Sequence, residues 1–104
     1  MFKTDRGVLS MDEPVHLTLY VTRNTAITAT KNLMKALGIT KEDVADLKIV
    51  DVTAHPDLAE NDNVEATPCL KIARGQEEYR VVGDLSDPEA LESALRGQWS
   101  DRSH

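Results

Sequence analysis

Apolar and polar positions change period several times along the chain, and each change marks an element. In "VHLTLYVT" (15–22), Leu17, Leu19 and Val21 alternate with other residues, which predicts a strand with those three on one face and Tyr20 on the other. After "RNT" the spacing becomes helical. Ile27, Thr30, Leu33, Met34 and Leu37 recur at three- and four-residue intervals, so one stripe is expected to face a core. Asn24 or Thr25 can cap the start of that helix, and Gly38 is expected to stop it. "DLKIVDV" (46–52) is apolar on both faces, the pattern of an interior parallel strand. "AHPDLAENDNVE" allows only a short helix, from near Pro56 to Asn63. "TPCLKIA" (67–73) and "YRVVG" (79–83) read as strands of a hairpin, turned by the glycine of "RGQEE". In "SDPEALESAL", Ser86 and Glu89 fit a capping box and Pro88 suits the first turn. Leu91, Ala94 and Leu95 then point inward.

The resulting order is βαβαββα. Its first two strands are joined by a crossover long enough for a parallel pair, and its last two form a hairpin. This predicts an α/β, thioredoxin-like fold with a mixed sheet. In that fold the bond before the proline opening the third strand is usually cis, so Pro68 is the cis-proline candidate. One domain is expected over residues 15–96, preceded by a flexible N-terminus (1–14) and followed by a loose tail (97–104) holding Trp99.

Composition narrows the function. A chain of 104 residues supports one modest core. Its net charge of −6 argues against nucleic acid, whose phosphates require a clustered basic face. The acids are concentrated: residues 42–65 hold eight against the single base Lys48, which reads as a solvated face or as an electrostatic docking surface. The N-terminus lacks an apolar signal core and no run is long enough to span a membrane, so a cytoplasmic protein with no membrane partner is expected.

Catalytic signatures are sparse. A dithiol oxidoreductase of this fold places Cys-x-x-Cys where the first strand meets the first helix, because the helix N-terminus lowers the thiol pKa. That junction here reads "TRNTAIT". Cys69, the one cysteine, follows Pro68 inside a strand, where a thiol behaves as a small hydrophobe. His16, His55 and His104 are too scattered to make a metal signature, and neither a phosphate loop nor a Ser-His-Asp set is evident. No catalytic residue, metal or cofactor is expected.

Three stretches closely resemble the KaiB family of circadian clock proteins: "LTLYVTRNT" (17–25), "LKIVDVTAHPDLAENDNVEATPCL" (47–70) and "VVGDLSD" (81–87). The pattern D-V-x-x-x-P-x-L-A-x-x-x-x-x-x-A-T-P, followed by G-D-L-S, is specific. The amino-terminal sensor domain of SasA-type histidine kinases is similar and shares the fold. The resemblance implies a non-enzymatic protein able to change fold, between a tetramer-forming ground state and a thioredoxin-like monomer. That monomer binds the KaiC ATPase ring, recruits KaiA and displaces SasA. The rearranging segment would be residues 67–95, with Gly83 and Asp84 as fold-switch candidates, although "GDLSDPE" reads equally well as a helix-start signal. Implied partner-binding candidates are Tyr20, Asn24, Thr25, Ala54 and Asn63, on an exposed face near the second helix.

Departures from the family matter here. Ala54 and Asn63 stand where clock members carry lysines that grip the KaiC ring, so charge complementarity should be weaker or reversed. "RGQEE" replaces a proline run before the fourth strand, and Ala26 replaces a first-turn proline. An Arg-Gly turn favours the hairpin, so this chain is expected to hold the thioredoxin-like state more readily than clock relatives do. Three functional readings follow. One is a KaiB-like module binding a KaiC-like ATPase or a signalling kinase, with self-association in the ground state. The others are a SasA-type sensor domain and a thiol enzyme using Cys69.

Overall fold

The computed structural model describes residues 14–83 and 85–97; Asp84 and all but Pro14 and Gly97 of the expected tails (1–14 and 97–104, with Trp99 and His104) lie outside the described residues. The chain folds as β1 (Val15–Val21), α1 (Ala26–Thr40), β2 (Val44–Asp51), α2 (Pro56–Asn61), β3 (Cys69–Arg74), β4 (Glu77–Val82) and α3 (Pro88–Leu95). The four strands form one sheet in the order β2-β1-β3-β4. β1 runs parallel to β2 and antiparallel to β3, and β3 pairs antiparallel with β4 across Gly75–Gln76.

The alternation in β1 divides the interior in two. Val15, Leu17, Leu19 and Val21 join the main core with Leu70 and Ile72 of β3, beneath α1 and α3. Tyr20 points to the opposite face and packs with Val50, Ala59 and Cys69 in a smaller cluster beside α2. Each fully buried leucine of the main core contributes about 1.5–3 kcal/mol.

Several local expectations are corrected. Gly38 does not stop α1, which runs on to Thr40 and ends at Lys41 in the left-handed region (φ 55). An interior glycine costs a helix about 1 kcal/mol; the helix nevertheless continues until the Lys41 N–H closes on the Leu37 carbonyl. The buried stripe of α1 is Ala29, Leu33 and Ala36, with Ala26 and Leu37 partly buried; Ile27 and Met34 face outward. Alanines let the helix lie close to the sheet and to α3, so they win the inner face over bulkier residues. β2 is an edge strand, paired only with β1 among the described residues, and not an interior strand. Asp87, not Ser86, caps α3: its carboxylate accepts from the Ala90 N–H at 3.3 Å.

Arg74 ties the far end of the sheet together. Its guanidinium pairs with Glu42 at 2.9 Å and donates to the carbonyls of Leu95 (3.0 Å) and Arg96 (3.4 Å). Those carbonyls belong to the last turn of α3, where unpaired acceptors and the helix dipole favour a cation.

Candidate functional site

The register brings the C-terminal ends of β1, β2 and β4 and the N-terminal end of β3 to one end of the sheet. There the Val52 N–H donates to the Val21 carbonyl and the Gly83 N–H to the Pro68 carbonyl, both at 2.9 Å. The loops bearing Asn24, Thr25, Ala54, Pro68 and Gly83 therefore share one end. Asn24 and Ala54 are exposed, and Pro68 is buried behind a cis Thr67–Pro68 bond.

Thr25 occupies the N-cap position of α1 but makes no side-chain cap bond. Its hydroxyl accepts from the Thr22 N–H at 3.0 Å and bonds the Thr22 hydroxyl at 3.1 Å, closing a tight turn. Asn63 is exposed in the left-handed region (φ 57), a conformation asparagine tolerates better than lysine does. Its N–H donates to the Glu60 carbonyl at 3.1 Å. Gly83 adopts φ 124 with open space where a Cβ would sit, so its backbone, not crowding, requires glycine. Leu85 is also left-handed (φ 64) and is held there by burial of its side chain in the main core. Of the two, the glycine adopts its angle freely, so the backbone strain here sits on Leu85. Asp84, between them, lies outside the described residues.

Tyr20 is placed differently from the exposed position expected of it. It is 5% exposed, and its hydroxyl donates to Asp62 at 2.5 Å. Asp62 is a hub that the sequence reading missed. Lys71 Nζ and Arg80 Nη2 each reach its carboxylate at 2.9 Å, and Arg80 Nε holds Glu78 at 2.8 Å. Lys71 and Arg80 are directly opposed across β3 and β4. Two like charges so placed repel, and an acid between them converts repulsion into attraction. That cross-strand cation pair was the available signal; the acid that answers it comes from a distant loop.

Electrostatics follow the geometry. Burial pushes the Tyr20 phenol up, its bond to Asp62 and that carboxylate's charge add to this, and the value reaches about 12. Burial also acts to raise the Asp62 carboxyl, but the bonds from Tyr20 and Lys71 and the charges of Lys71 and Arg80 outweigh it and hold the group below the usual carboxylate range. Burial pushes the Cys69 thiol up, although Arg80 opposes this. At 2% exposure and with a raised pKa, that thiol lacks the electropositive, accessible setting of a nucleophile.

Among the described residues, no group of three or more His, Cys, Asp or Glu is placed to hold a metal ion. No helix among them is long and apolar enough to cross a membrane.

The KaiB domain family model matches residues 18–97. A circadian clock oscillator protein KaiB of Synechococcus elongatus is 41% identical over 77 residues, covering 72% of this chain and 76% of that protein. Among solved structures, mitochondrial thioredoxin 3 of Saccharomyces cerevisiae superposes with a TM-score of 0.65 at 17% identity, over 86% of this chain and 84% of that one. The thioredoxin Deadhead of Drosophila melanogaster gives 0.63 at 15% identity, over 88% and 87%. These two likenesses show the thioredoxin-like fold.

Proposed function

Because the chain belongs to the KaiB family, we propose that it is a non-catalytic protein-binding regulator of a clock or timing system that docks on a KaiC-like ATPase ring. The observation that carries this reading is the gathering of Asn24, Thr25, Ala54 and Gly83 at one end of the sheet. The strand–helix junction at that end, where thioredoxins keep their dithiol, is built from threonines. Tyr20 supports this surface from beneath through Asp62 instead of presenting itself to a partner.

The left-handed Leu85 is where a rearrangement of residues 67–95 would release backbone strain, and the freedom of Gly83 beside it supports the Gly83–Asp84 pair as the fold-switch positions. Ala54 and Asn63 offer no positive charge, so electrostatic steering toward an anionic patch on the partner would be weaker than for lysine-bearing relatives.

The test is size-exclusion chromatography of the chain with a KaiC-type ring at tens of micromolar. Co-elution is expected, strengthened by Ala54→Lys and weakened by Ala54→Glu. Failure to co-elute at any ratio, with the chain shown folded, would sink the KaiC-like partner. Backbone NMR of residues 64–96 at two concentrations reads the fold state and oligomer size directly. The expected pattern is strand-turn-strand-helix in a monomer.

A further inference from the structure

We infer that the outer face of α1 is a second docking surface, which accepts a partner helix carrying acidic residues beside an apolar stripe. Ile27, Met34 and Ile39 are 80%, 52% and 52% exposed, an unusual outlay of large apolar side chains on one short helix. Lys31 and Lys35 are exposed beside them. Residues 14–41 contain no Asp or Glu at all, whereas residues 42–65 contain eight.

A merely solvated helix face mixes charges of both signs and gains from pairs four residues apart. Here the pair four apart is Lys31 and Lys35, which repel, and neither has an ion pair with any described residue. An acidic partner relieves that repulsion and covers Ile27 and Met34 in one step, with Ile39 at the edge of the groove toward α3. Ile27 and Met34 are two helical turns apart, the spacing of anchors in helix-in-groove recognition. Space for the partner's side chains flanks the helix on both sides. A shallow, open apolar depression lies beside Ala26, Ile27, Thr30 and Lys31. A groove of about 270 Å³ runs between α1 and α3, with Ile39, Leu85 and Leu91 along it.

An anionic lipid surface fits less well. Helices that lie in the interface use Trp, Phe or Leu on the buried side, α1 has no aromatic residue, and the chain's net charge of −6 opposes approach. The surface is carried by the length of α1 and not by the loop end, so it extends beyond the docking proposed above.

The test is an NMR titration of the full chain with a synthetic helical peptide of Glu–Leu heptads. A Lys–Leu counterpart and phosphatidylserine vesicles are run alongside. The glutamate peptide is expected to shift amides within residues 27–39 and to bind at least about tenfold more tightly than the lysine peptide. Lys31→Glu with Lys35→Glu should weaken it about tenfold, and Ile27→Ser with Met34→Ser by a similar factor. All four side chains are exposed, so these variants keep the circular dichroism of the parent. Four outcomes overturn the inference: no preference for the glutamate peptide, binding unaffected by either pair of changes, preferential binding to vesicles, or self-association of the chain that shifts the same amides.

Discussion

Replacing Asp62 with alanine removes a carboxylate shared by β1, β3 and β4. Three bonds go with it: Tyr20 at 2.5 Å, Lys71 at 2.9 Å and Arg80 at 2.9 Å. The two ion pairs are partly exposed, with side chains at 20–27%, so each is discounted to about 0.5 kcal/mol. Tyr20 is left as a buried hydroxyl without its acceptor, which costs about 1–2 kcal/mol. The expected loss is therefore about 2–3 kcal/mol, a large share of the roughly 5–15 kcal/mol that holds a small domain together. For a domain of this size it lowers Tm by about 8–20 °C.

Urea unfolding of the parent, Asp62→Ala, Tyr20→Phe and the double variant reads both the loss and its origin. The double variant should lose about 1 kcal/mol less than the sum of the singles, because the shared bond is counted once. A loss below about 0.5 kcal/mol for Asp62→Ala, or additivity within about 0.5 kcal/mol, would refute the hub. Acid provides a further check. Since the folded carboxyl sits below its ordinary value, its stabilisation is present above about pH 4 and fades as pH falls through the folded pKa. The parent's advantage over Asp62→Asn should close in acid. In alkali the sign is set by Tyr20, raised to about 12: its contribution is complete below about pH 10 and is lost as pH climbs toward 12.

Three further predictions follow from individual residues. Cys69, buried with its thiol pushed up, should react with a disulfide reagent near neutral pH at least about a thousandfold more slowly in the folded chain than in denaturant; near-equal rates would revive a thiol enzyme. Gly83→Ala should destabilise the thioredoxin-like state by about 1–3 kcal/mol through the backbone alone, since its φ of 124 is costly and the space around it is open; unchanged thermal stability would mean the connection relaxes freely. Arg74→Met keeps the packed stem but loses Glu42 and the Leu95 carbonyl, and should cost about 2 kcal/mol with faster amide exchange in the last turn of α3. Unaltered exchange there would contradict the anchoring role.

Strand β1 and the division of its faces were legible because a period of two is a local property. Leu17 and Leu19 went to one core and Tyr20 to the other, as alternation requires. The order of elements and the hairpin around Gly75 were legible too, because turn residues act over a few positions. Helix α1 shows the limit. Two stripes overlap at helical spacing, one with Ile27 and Met34 and one with Ala29, Leu33 and Ala36. Hydrophobicity favours the first, and close packing against the sheet and α3 selects the second.

By itself, then, the sequence determined the kinds of element, their order and the family pattern around Ala66-Thr67-Pro68 and Gly83, all of which rest on neighbours along the chain. Tertiary structure alone decided that β2 lies at an edge, that Tyr20 is buried and that Asp62 serves Lys71 and Arg80. Among the eight acids of residues 42–65, nothing local marks Asp62 as the one that will join β3 and β4. Only when β3 and β4 pair do two cations meet, and the carboxylate that reaches them then becomes part of the fold.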